Sequence, residues 1–132
     1  MAQFNRILLV EDDVDIQENL RTYLELEGFS VDSAFNGKEA FAFLEKMESG
    51  KEPSVILLDL MMPVMTGYEF LGKIRLENSF PSIPIIVLSA APDLEQAARA
   101  RVARFIRKPF TLESLVTTIR EVRKASQPLP PG

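Results

Sequence analysis

Short, nearly unbroken apolar runs recur along the chain: Ile7-Leu8-Leu9-Val10, Val55-Ile56-Leu57-Leu58, Ile85-Ile86-Val87-Leu88 and a weaker one around residues 103–106. Runs of this length without alternation suit strands buried on both faces, as in a parallel sheet with helices on either side. Phe29-Ser30-Val31-Asp32-Ser33-Ala34 alternates instead and reads as an edge strand. Between the runs the apolar spacing is helical. Ile16, Leu20, Tyr23 and Leu24 mark a first helix, with Asp13 as its N-cap and Gly28 as a left-handed stop. Ala40, Phe41, Leu44 and Met47 mark a second, entered through the turn Asn36-Gly37; Phe70, Leu71 and Ile74 mark a third after Gly67. Residues 93–101 are rich in helix formers and predict a short or irregular fourth helix. Leu112, Leu115, Val116, Ile119 and Val122 form the clearest one-face stripe, with Thr111 as its N-cap. Strand and helix alternate five times, which predicts an α/β fold: an open five-stranded parallel sheet with helices on both faces. In such sheets the functional crevice lies beyond the carboxyl ends of the strands, where the strand order reverses.

Composition narrows the chemistry. The 132 residues, 46% of them hydrophobic, suit one domain, read as residues 1–125, with the Pro-rich stretch 126–132 as a disordered tail or linker. No apolar run approaches the roughly 18 residues of a membrane span, and Met1-Ala2-Gln3-Phe4-Asn5-Arg6 lacks the features of a signal peptide, so a cytoplasmic protein with no membrane partner is expected. Absence of Cys and His removes disulfides, thiolate or imidazole metal sites and Ser-His triads. Any chemistry must run on carboxylates, hydroxyls and amines. A net charge of −4 argues against nucleic acid as a direct partner.

Polar groups follow each central run: Glu11, Asp12 and Asp13 after the first, Asp59 after the second, Ser89 after the third, and Lys108 with Pro109 after the last. Each alone has a plain reading, such as an N-cap, a strand end or a solvated rim. Together they set several carboxylates, one hydroxyl and one amine along the same edge of the sheet.

The stretches Leu8-Leu9-Val10-Glu11-Asp12-Asp13, Leu57-Leu58-Asp59-Leu60-Met61-Met62-Pro63, Val87-Leu88-Ser89-Ala90 and Lys108-Pro109-Phe110 resemble the receiver domains of two-component response regulators, over almost the whole chain. The resemblance implies a flavodoxin-like sheet of order 2-1-3-4-5. It implies Asp59 as phosphoacceptor, fed by a histidine kinase or phosphotransfer protein. It also implies Mg²⁺ (or Mn²⁺) held by Glu11, Asp12, Asp59 and the backbone carbonyl of Met61. Three crowded carboxylates repel, and a hard divalent cation relieves that. Lys108 would pair with a phosphoryl oxygen, across a cis bond to Pro109. Ser89 and Phe105 would act as the switch pair, coupled to a readout face made of the fourth helix, the last strand and the last helix. The downstream partner is unspecified, and a phosphorylation-dependent dimer is among the outputs the family uses.

The chain departs from that pattern in three places. Phe105 stands where Tyr is commoner and has no hydroxyl to offer. Ser89 and Lys108 are 19 positions apart, a few fewer than the resemblance leads one to expect, which puts the usual output face in question. Met61 and Ala91 hold the positions that tune dephosphorylation; both are apolar, so a persistent acyl phosphate is expected. Two other readings stay open: an aspartyl-nucleophile phosphatase, disfavoured because Met61 supplies no second acid, and a degenerate receiver that serves only as a phosphorylation-independent docking scaffold. Turnover on external substrates is not expected.

Overall fold

Each central strand sends alternate side chains to opposite faces of the sheet, and in this chain both faces are apolar. In a computed structural model, β1 (Arg6–Val10), β3 (Val55–Asp59) and β4 (Ile85–Ser89) are flanked by β2 (Ser30–Ala34) and β5 (Arg104–Arg107) in one parallel sheet of order β2-β1-β3-β4-β5. The structure describes residues 6–48, 51–59, 69, 72–73, 83–89 and 102–126. Leu8, Val10, Ile56, Leu58, Ile85 and Val87 meet Ala40, Phe41 and Leu44 of α2 (Gly37–Lys46) on one face. On the other face Ile7, Leu9, Val55, Leu57, Ile86 and Leu88 meet Leu20 and Leu24 of α1 (Val14–Leu26), with Leu115, Val116, Ile119 and Val122 of α3 (Leu112–Ser126). Two cores therefore share one sheet, which is why the central runs do not alternate.

The two outer strands depart from this. β2 is an edge strand, as its alternation predicts. β5 is the other edge: Arg104 and Arg107 are exposed, and Phe105 and Ile106 are only half-buried. The expectation of a strand covered on both faces therefore fails for the last run, because an edge strand beside charged residues has less to pack against. Phe105 leans on the α2-side core and Ile106 on the opposite one.

Helix ends follow local chemistry. The Asp13 carboxylate accepts the Ile16 N–H at 3.0 Å, and the Thr111 hydroxyl accepts the Ser114 N–H at 3.0 Å, so both predicted N-caps form. Asn36 is a cap rather than part of a turn: its side chain accepts the Glu39 N–H at 2.8 Å, while the Glu39 carboxylate accepts the Phe35 N–H. Gly28 has φ +98°, and the bonds Gly28 N–H to Glu25 carbonyl and Phe29 N–H to Leu24 carbonyl close α1 in a Schellman motif. The buried stripe of α1 is Gln17, Leu20 and Leu24; Ile16, predicted to face inward, is 42% exposed. Ser126 is the last residue of α3 rather than the first of a tail. Glu69, Gly72 and Lys73 are helical, but the other positions of the predicted third helix, the predicted fourth helix and residues 127–132 lie outside the described residues.

The chain runs from β1 outward to β2, then crosses back past β1 to β3. Right-handed crossovers then require α1 and α2 on opposite faces, as observed, and leave a crevice between the carboxyl ends of β1 and β3. Glu11 and Asp59 stand at those two ends.

Candidate functional site

β1 and β3 pair in register from Ile7 with Val55 to Val10 with Leu58, which carries Asp59 to the level of the loop after Val10. Carboxylate oxygens of Glu11, Asp12 and Asp59 lie within 4.8 Å of one another. Glu11 is 3% exposed and Asp59 6%; Asp12 is more open to solvent. Glu11 could have faced water on sequence grounds, but the loop turns it inward over the crevice, where the Asp13 N–H approaches its Oε2 at 3.4 Å.

Lys108 enters from the far side. β4 pairs with β5 so that Ser89 stands opposite Arg107, and the next residue reaches back over the sheet end. The Lys108 ammonium is 3.3 Å from Asp59 Oδ2 and 3.8 Å from Glu11 Oε1. The Lys108–Pro109 peptide is cis, as the resemblance implies. Ser89 ends β4, but its side chain, like Met61 and Ala91, lies outside the described residues.

Burial and the neighbouring Asp59 charge push the Glu11 carboxyl up to about 8, the Asp13 N–H opposing them. Both causes disfavour a second negative charge in a shielded crevice. The donor set, three carboxylates without nitrogen or sulfur, fits a hard oxygen-seeking cation of the Mg²⁺ type, which commonly uses one or two carboxylates and keeps several waters. The crevice thus sets a buried carboxylate beside an ammonium and two further carboxylates.

One polar residue near this crevice escaped the sequence reading. Gln17 is as buried as Glu11, and its Nε2 lies 3.2 Å from the Glu11 backbone carbonyl. Positions 17, 20 and 24 fit one helical face as well as 16, 20 and 23, so spacing alone does not single Gln17 out.

The strand order defines a doubly wound parallel α/β domain with an acidic crevice at its switch point, and comparison with known proteins identifies its family. The response regulator receiver domain model matches residues 7–120, and the chain belongs to that family. Response regulator Rre1 of Synechocystis is 33% identical over 131 residues, covering 96% of this chain and 55% of that protein. The CpxR homolog of Haemophilus influenzae, a transcriptional regulatory protein, is 34% identical over 125 residues, covering 92% and 52%. The chain spans about half the length of the curated relatives it matches. Among solved structures, the receiver domain of the Francisella response regulator 1452 superposes with TM-score 0.83 at 27% identity, covering 93% of this chain and 99% of that one. TrrA of Thermotoga maritima, in complex with Mg²⁺-BeF, superposes with TM-score 0.75 at 30% identity, covering 89% and 98%. The chain is accordingly a two-component signalling domain. No described helix is long and apolar enough to cross a membrane.

Proposed function

We propose that Asp59 is the phosphoacceptor of this domain. The observation that carries the reading is a buried carboxylate at the end of β3 with the Lys108 ammonium 3.3 Å away and two further carboxylates beside it. An Asp59 oxygen attacks phosphorus, the bond to the donor's imidazole nitrogen breaks, and the imidazole leaves with its electron pair and takes up a proton. Asp59 becomes an acyl phosphate. Glu11, Asp12, Asp59 and the Met61 carbonyl would hold Mg²⁺, which when bound offsets the charge of the incoming phosphoryl group. The TrrA complex with Mg²⁺-BeF supports this assignment.

Lys108 pairs with Asp59 before the reaction and transfers its ion pair to a phosphoryl oxygen afterwards. Ser89 is the second donor, and Phe105, already against the α2-side core, is the side chain free to follow it. A shift from about 1% to 99% active needs roughly 5.5 kcal/mol of preference for the active arrangement. Charge-assisted hydrogen bonds at about 1.5–3 kcal/mol each reach that with two or three contacts. The donor is a histidine kinase or phosphotransfer protein, and the output passes through the face of the expected fourth helix, which lies outside the described residues, with β5 and α3.

Intact mass after incubation with Mg²⁺ and acetyl phosphate or phosphoramidate tests this. One added phosphoryl group, lost in Asp59→Asn, is expected. Steady release of phosphate from unrelated esters would instead indicate a phosphatase, and no adduct under any condition would leave only a docking scaffold.

A further inference from the structure

Among the described residues, Gln17 is the one buried polar side chain outside the carboxylate cluster. Its Nε2 is surrounded by three backbone carbonyls: Ala34 at 3.1 Å, Glu11 at 3.2 Å and Leu9 at 3.3 Å. That surrounding fixes the orientation of the amide, since an oxygen in the same place would face three oxygens. The Ala34 carbonyl also accepts the Glu11 N–H at 3.0 Å. Glu11 is therefore held through both of its peptide units, by the end of β2 on one side and by an α1 side chain on the other. Among the described residues, β1 pairs with β2 and β3 as far as Val10, so the Glu11 carbonyl lies past the end of the described ladder.

The other end of the amide is unusual. Gln17 Oε1 is buried and has no hydrogen-bond partner among the described residues. A residue kept only to fill space would carry no such burden; Met has nearly the same shape and no unmet acceptor. The two donor hydrogens are thus the part of the side chain that the fold uses.

We infer that Gln17 is a positioning residue for the acidic crevice: by holding the Glu11 carbonyl to the end of β2, it sets where the Glu11 carboxylate stands relative to Asp12 and Asp59, and so how tightly the crevice takes a divalent cation. The inference rests on the reading of Glu11, Asp12 and Asp59 as a cation site. Outer residues that orient ligands commonly change metal affinity by about 10–100-fold when removed.

Mg²⁺ titration of the full ¹⁵N-labelled chain, followed by NMR, tests it. Gln17→Met removes the donors at nearly constant volume and is expected to weaken Mg²⁺ binding by about tenfold. Leu24→Ala, a cavity in the same helix away from the crevice, is expected to lower Tm but leave the Mg²⁺ affinity at its wild-type value. Wild-type affinity in folded Gln17→Met overturns the inference, as does an equal loss in both variants. The unaltered protein gives a second reading that needs no variant to fold: the Gln17 side-chain amide protons should shift with the same midpoint as the Glu11 backbone N–H, and amide protons that stay still while Glu11 moves overturn it. If neither signal responds to Mg²⁺, the cation site itself is wrong and the inference falls with it.

Discussion

At the scale of single residues, Glu11 is a carboxyl whose surroundings disfavour its charge. Its carboxyl is buried next to Asp59, and both effects raise its pKa from the ordinary 4.5 to about 8. The sign of the consequence follows from linkage. Between those two values the folded state holds a proton that the unfolded state has lost, so the stability Glu11 contributes is full below about pH 4.5 and falls as pH rises through 8. Urea unfolding in EDTA is therefore expected to show lower stability at pH 9 than at pH 6, with Glu11→Gln flattening the slope and Mg²⁺ restoring stability at the higher pH. A pH-independent midpoint in EDTA would contradict this. Sequence alone placed the three carboxylates and Lys108 at strand ends, because strand ends are readable from the apolar runs. It could not show that Glu11 turns inward or that Gln17 faces it. Those facts depend on which way the loop after Val10 folds and on a one-residue rotation of α1, and a polar residue among apolar neighbours looks the same in sequence whether it is out or in.

Elements begin and end where short-range chemistry dictates, and here that chemistry was mostly legible. Asp13, Thr111 and Gly28 each do what their residue type favours at a helix terminus. Asn36-Gly37 was read as a turn although Asn followed three residues later by Glu is equally a capping pattern, and the structure uses the cap. Gly28 offers a clean measurement. A Cβ there would meet nothing within 4 Å, so the cost of Gly28→Ala is conformational rather than steric. At φ +98° that cost is expected to be about 1–2 kcal/mol by urea unfolding, with Gly28→Asn losing less because Asn tolerates the left-handed region. Equal losses for the two variants would point to some other role for this position. β5 was the least legible strand: a weak apolar run between arginines gives no periodicity to follow, and its bounds shifted by one residue, from 103–106 to Arg104–Arg107.

Across the whole molecule, one sheet separates two cores, and neither core exists without it. Ile56 faces the α2 side and Leu57 the side of α1 and α3, and both are fully buried. Ile56→Ala and Leu57→Ala are each expected to cost about 2–5 kcal/mol. Because the two residues are neighbours on one strand, circular dichroism and a tertiary probe should still report a single shared transition in each variant; two separated transitions would mean that the layers unfold independently. The parallel order was foreseeable from the apolar runs only as far as "parallel, helices on both faces"; the position of the reversal between β1 and β3 came from the family resemblance, since no local signal states which strand lies beside which. The two outermost strands carry a last consequence. β2 sets Ser30, Asp32 and Ser33 along one border of the sheet, and β5 sets Arg104 and Arg107 along the other. Charged and polar side chains on edge strands disfavour the addition of a strand from a second molecule, so these residues work against growth of the sheet at either border.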